Sequence, residues 1–146
     1  MEKQSGEAIQ MSVVDVRDVL APGTPGRAAR LPLAPDVVFH SPVADYSGRD
    51  DVSHLFAKIG QCLTGLEPLR EFTDPGEEGT GRHSVTTFAA KVGDESASAY
   101  GALVQQVDEQ GQLTEATLLL RPLGALKAAV SLMRDALSAD PLPSRR

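Results

Sequence analysis

The chain is 146 residues long, with 41% hydrophobic and 4% aromatic residues, no tryptophan and a formal net charge of −6. That length fits one domain able to bury a core, and with so few aromatics the core must be aliphatic. An acidic chain without a basic stripe argues against nucleic acid or an anionic membrane as a partner. Its lone cysteine, Cys62, excludes an intrachain disulfide, and no apolar run nears the roughly 18 residues that span a bilayer.

Residues 1–8 are polar, and Ile9, Val13, Val16 and Leu20 then fall near helical spacing. Pro22, Gly23, Pro25 and Gly26 stop that element, so 1–30 reads as a short N-terminal helix or arm with a Pro/Gly linker. Without an apolar signal core in residues 1–10, a cytoplasmic location is expected.

The segment Asp36 to Ser41 predicts a strand closed by Pro42, which cannot donate to a ladder. A loop carrying Asp45, Tyr46 and Ser47 follows. A helix is expected from about Asp50, with Val52, Leu55, Phe56, Ile59 and Leu63 on one face and Gly65 as its stop. Residues 68–74 predict a short strand, and 74–81 a turn-rich connection. Strands are expected over 82–92 and 95–107, joined at Gly93-Asp94, and over 113–120 after the turn Asp108 to Gly111. Pro122 opens a closing helix whose stripe is Leu123, Leu126, Val130, Met133 and Leu137, and residues 139–146 read as a flexible tail. The order of elements predicts an α+β fold, a curved antiparallel sheet forming a cone-like half-barrel with helices packed on its concave side.

Three stretches carry a resemblance. Leu33 to Val43 (LAPDVVFHSPV) followed by Gly48-Arg49 resembles the first strand and helix start of the nuclear transport factor 2-like superfamily. Val107 to Gly111 with Leu113 to Glu115 resembles its penultimate hairpin, and Leu118 to Leu123 the last strand of a subset whose chains end in a short helix after Arg-Pro-Leu. The resemblance covers residues 31–138 and implies an apolar pocket inside the cone. The superfamily holds ketosteroid isomerases, SnoaL-like polyketide cyclases, epoxide hydrolases and non-catalytic binders, so fold alone does not settle function.

Aligning the hairpin turns with the isomerase branch and alternating along each strand gives the inward set. It comprises Phe39 and Ser41, then Ser84, Thr86, Phe88 and Ala90 with Arg82 near the mouth. Ala99, Gly101, Leu103 and Gln105 follow, then Ala116, Leu118 and Leu120, and Phe56 closes the wall. Ketosteroid isomerases place a general base and a protonated acid where this chain carries Ser41 and Leu103, so the resemblance does not extend to their chemistry. What it implies is a small hydrophobic molecule as partner and a cofactor-free cyclase, isomerase or hydrolase of specialised metabolism. In that reading Tyr46, Arg82 and Ser41 are the candidate catalytic groups. The alternative is a binding protein without turnover.

His40, His54 and His83 lack metal-site spacing, so no metal is expected, and His54 reads as a half-exposed surface residue. Gly76, Gly79 and Gly81 lack the Lys-Ser/Thr of a phosphate loop, so no nucleotide cofactor is expected. Glu115 and Arg121 are expected to pair, and Cys62 reads as a small core residue. The resemblance also implies a homodimer through the outer sheet face, which would carry Tyr100, Ala102, Val104, Thr117 and Leu119.

Overall fold

The computed structural model describes residues 32–76, 81–93 and 97–146. The expected N-terminal arm, the middle of the 74–81 connection and Asp94 of the predicted turn lie outside them. The described elements run β1 (Leu33–His40), β2 (Asp45–Ser47), α1 (Arg49–Cys62), β3 (Leu63–Asp74), β4 (Arg82–Val92), β5 (Ser98–Val107), β6 (Leu113–Arg121) and α2 (Leu123–Ala139), then a 3-10 turn over Pro143–Arg145.

Six strands form one curved sheet in the order β2-β1-β6-β5-β4-β3. Every pairing is antiparallel except β1 with β6, because α1 carries the chain across before the β3–β6 meander returns beside β1. The β1–β6 register breaks between Leu33 and Val38. Pro35 lies in that interval and offers no N–H to the ladder, and Leu33 and Ala34 are both buried where strict alternation would expose one of them.

Gly48, at φ 96, turns the chain from β2 into α1. Its carbonyl accepts the Val52 N–H at 3.0 Å, and Asp50 and Asp51 in the first turn complement the positive end of the helix. Val52, Leu55, Phe56 and Ile59 are buried, as the periodicity requires. The helix ends at Cys62, earlier than a stop at Gly65 would place it. Leu63 is already extended, at φ −102 and ψ 115, and starts β3. Gly65, at φ 58, instead occupies the register shift in β3 between Thr64 and Glu67. The Gly93 N–H reaches the Cys62 carbonyl at 2.6 Å and satisfies that helix end.

Strand β3 is an edge strand of 12 residues, longer than the 68–74 segment expected. The edge position is what accommodates Pro68. Strand β5 begins at Ser98, and β4 matches its expected bounds.

Residues 140–146, expected to be loose, lie against α1. Asp140 receives Lys58 Nζ at 3.0 Å and Arg146 at 2.8 Å, and its carboxyl is held below the usual carboxylate range, chiefly by the Lys58 hydrogen bond. His54 Nε2 donates to the Asp140 carbonyl at 2.8 Å, and the Ser144 hydroxyl donates to Asp51 at 2.6 Å. Leu142 is buried, so this segment closes one end of α1. His54 is therefore mostly buried, with 13% of its side chain exposed, rather than a solvated surface residue. Among the described residues no helix is long and apolar enough to cross a membrane.

Candidate functional site

A cavity of about 380 Å³ opens on the concave side, between the β1–β6 part of the sheet and the two helices. Its floor is Phe39 of β1, Leu118 of β6, Leu55 and Ile59 of α1 and Leu63 of β3, all buried. Tyr46 joins this wall for a reason of register. It sits opposite Phe39 in the β1–β2 pair, and directly opposed residues point to the same face. The 45–47 segment was expected as loop, since three residues are too few for alternation to be read.

Helix α2 forms the roof. Its expected stripe supplies Leu126, Val130, Met133 and Leu137 to the cavity, while Leu123 is 64% exposed. The buried positions of α2 are the small Ala125 and Ala129, both part of the core, and Ala129 also lines the cavity. Leu126, Val130, Met133 and Leu137 are only half-buried because they overhang a void. They are cavity-lining residues that the sequence does not assign to a pocket. The signal, a clean apolar stripe, was read as core because periodicity reports the face and not what the face covers.

The polar atoms of the lining are few. The Ser41 hydroxyl donates to the Ala44 carbonyl at 2.8 Å and accepts the Ala44 and Val43 N–H groups at 3.0 and 3.2 Å, closing the β1–β2 turn. Burial pushes the Cys62 thiol up against a weaker opposing pull from Lys58, so it stays protonated and is a poor nucleophile. Tyr46 and Arg134 are the other lining residues with polar side-chain ends. No carboxylate is among the described lining residues.

Of the residues expected to surround a ligand, Phe39, Ser41, Tyr46, Leu118 and Leu120 line the cavity. The others are on the face that alternation assigns but away from this space. Phe56 lies behind Phe39, ring edge to face at 5.0 Å and 81°. Phe88 and Leu103 are fully buried, and Ala116 nearly so. Gly101 has its missing side chain replaced by the Phe88 ring. Ser84, Thr86 and Gln105 form a buried polar row, with Ser84 paired to Gln105 across β4 and β5. Arg82 is paired with Val107 at the end of β4 and does not line the cavity. The structure thus brings Ser41 and Tyr46 together and leaves Arg82 out, because alternation fixes a residue's face but not its position along the curved sheet.

On the outer side, His40 is clamped between two carboxylates. Its Nδ1 lies 2.9 Å from Asp45 and its Nε2 2.6 Å from Glu115. Glu115 therefore pairs with His40 across the parallel β1–β6 seam rather than with Arg121. Both ring nitrogens can donate only as imidazolium, and the Asp45 hydrogen bond, followed by that of Glu115, raises the His40 pKa above its ordinary 6.5. A group raised on folding stabilises below its unfolded pKa, and that stabilisation is lost as pH rises through the folded value. The thermal midpoint is therefore expected to fall more between about pH 6 and pH 9 in the natural chain than in His40→Gln. Parallel melting curves across that range check this; identical slopes would mean the clamp adds no stability. Among the described residues, no group of three or more His, Cys, Asp or Glu side chains is placed to hold a metal ion.

The sequence matches no protein-family model and no curated protein. Solved structures do match. A bacterial protein with a cystatin-like fold from Silicibacter pomeroyi DSS-3 is 26% identical, with 86% of this chain and 84% of that one covered, at a TM-score of 0.72. A steroid delta-isomerase from Pseudomonas aeruginosa is 24% identical over 94% of this chain and 88% of its own, at a TM-score of 0.67. A SnoaL-like family protein from Agrobacterium tumefaciens str. C58 is 12% identical over 82% and 99%, at 0.54. With its curved six-stranded sheet, α1 and α2 on the concave side and a cavity beneath α2, this chain has the cone fold of the nuclear transport factor 2-like superfamily.

Proposed function

We propose that the cone binds one small hydrophobic molecule per chain and that Tyr46 orients it. The observation carrying this is the cavity of about 380 Å³, a volume typical of small-molecule sites, with walls that are mostly carbon. The Tyr46 phenol supplies one O–H donor for a ligand carbonyl or hydroxyl. Holding is favoured over turnover by the lining itself: the Ser41 oxygen closes a turn, the Cys62 thiol is kept neutral, and no described lining residue is a carboxylate. Moving a proton off carbon at neutral pH needs a base placed against the substrate.

The second reading is a cofactor-free cyclase, isomerase or hydrolase of polyketide- or terpenoid-like metabolism. It is supported by the likeness to a steroid delta-isomerase and a SnoaL-like protein. Its acid would be Tyr46, with Ser41 beside it and Arg82 acting only if a ligand extended beyond the cavity. Ser41 and Leu103, where ketosteroid isomerases carry their acids, weigh against isomerisation by that route.

We further propose pairing of two chains through the outer sheet face. Tyr100 is 44% exposed and Leu119 53% exposed on neighbouring strands there, apolar surface that is better buried than wet.

Native mass spectrometry followed by denaturing extraction tests both proposals. The expected spectrum shows two chains with one apolar molecule on each, and Val130→Trp, which fills the cavity, is expected to arrive empty. An apolar molecule retained in equal amount by Val130→Trp would place binding elsewhere, and a single-chain mass would overturn the pairing.

A further inference from the structure

We propose that the ligand is an apolar carboxylate, its carbon skeleton on the cavity floor and its head group beside Arg134 at the mouth. This rests on the cavity being the small-molecule site proposed above, and it adds the chemical class of the occupant.

The lining grades from buried to exposed in one direction. Phe39, Leu55, Leu63 and Leu118 are buried and form the closed end. Pro42, Val43 and Arg134 line the same cavity but are exposed, Val43 at 63%, so the mouth lies between the β1–β2 turn and α2. A molecule entering there is solvated at one end and dry at the other, which is the environment of an amphiphile.

The sign of the head follows from the charge at that mouth. Arg134 is the sole charged side chain among the described lining residues. It follows Val130 by four residues and precedes Leu137 by three, so it shares their helix face, whereas Lys127 and Asp135 are not part of the lining. No described carboxylate pairs with its guanidinium. A net charge of −6 would repel an anion at long range, so this local cation is what an anionic head would need. A neutral head gains at most a single hydrogen bond from Arg134, without charge pairing, and a cationic head is repelled. A carboxylate gains charge-assisted hydrogen bonds in the fork geometry that guanidinium offers.

The test compares octanoate with 1-octanol, which share a chain and differ in head charge, by calorimetric titration at about pH 8, where the carboxylate is ionised. Octanoate is expected to bind roughly fivefold tighter than octanol to the natural chain, a preference that shrinks with added salt. Arg134→Gln is expected to abolish the preference by lowering octanoate affinity toward that of octanol, and Val130→Trp to remove binding of both. Equal affinity for the two probes in the natural chain, or an undiminished preference in Arg134→Gln, would overturn the carboxylate assignment and leave the apolar pocket standing. Failure of both probes to bind the natural chain would overturn the pocket reading and this one together.

Discussion

Phe39→Ala is expected to lower stability by about 3–5 kcal/mol, read as a fall in the urea midpoint at unchanged m-value. Phe39 has no exposed surface and meets the Phe56 ring edge on, tying β1 to α1. It also sits at a three-strand junction, opposite Tyr46 on β2 and Ala116 on β6. Truncation removes the aromatic pair and leaves a void that joins the existing cavity, since Phe39 is part of its floor. Ligand binding should therefore change along with stability: a larger cavity fits a larger guest and grips a small one less well. Phe72→Ala is the matched control, because Phe72 is 57% exposed on edge strand β3, and its cost should stay within about 0.5 kcal/mol. A Phe39→Ala loss no larger than that of the control would mean that the β1–α1 contact does not hold the cone closed.

The sequence made some of this visible and hid the rest for identifiable reasons. Helix α1 was legible because Val52, Leu55, Phe56 and Ile59 repeat at helical spacing and are all buried. Strand β4 was legible because Ser84, Thr86, Phe88 and Ala90 alternate with more exposed neighbours. Strand β2 was not, since three residues carry no period, and the first five residues of β3, Leu63 to Glu67, were not, since Gly65 interrupts a strand that lies at an edge. The site was harder still. Leu126, Val130, Met133 and Leu137 look alike whether they cover a core or a cavity, so the roof of the pocket passed as packing. Arg82 was placed inward by an alternation that fixes its face, yet the cavity lies beside β1 and β6 rather than at the far end of β4. The His40–Glu115 contact joins residues 75 positions apart across a parallel seam, which no local pattern announces.

Gly101 shows how closely fold and cavity are coupled, and replacing it with alanine is expected to cost about 1–3 kcal/mol, with Gly101→Val costing more. The requirement is space rather than backbone conformation. A Cβ at 101 would lie 2.7 Å from the tip of the Phe88 ring and 3.2 Å from Leu120 Cδ1, and would press on the Leu119 carbonyl. The carbonyl belongs to a strand paired along its length with β5 and cannot retreat without disturbing the ladder. The Phe88 ring is fully buried and has little room to turn. Leu120 is the side chain left with somewhere to go, because it lines the cavity. Gly101→Ala is therefore expected to do two things at once, lowering the unfolding midpoint and narrowing the cavity so that octanoate binds less tightly. Adding Phe88→Leu frees the space above residue 101, so the double variant should lose less than the sum of the two single losses. If the losses simply add, the Phe88 ring does not need the glycine beneath it. If stability falls while octanoate affinity holds, Leu120 has not moved into the cavity, and the β5–β6 packing and the ligand site are separable.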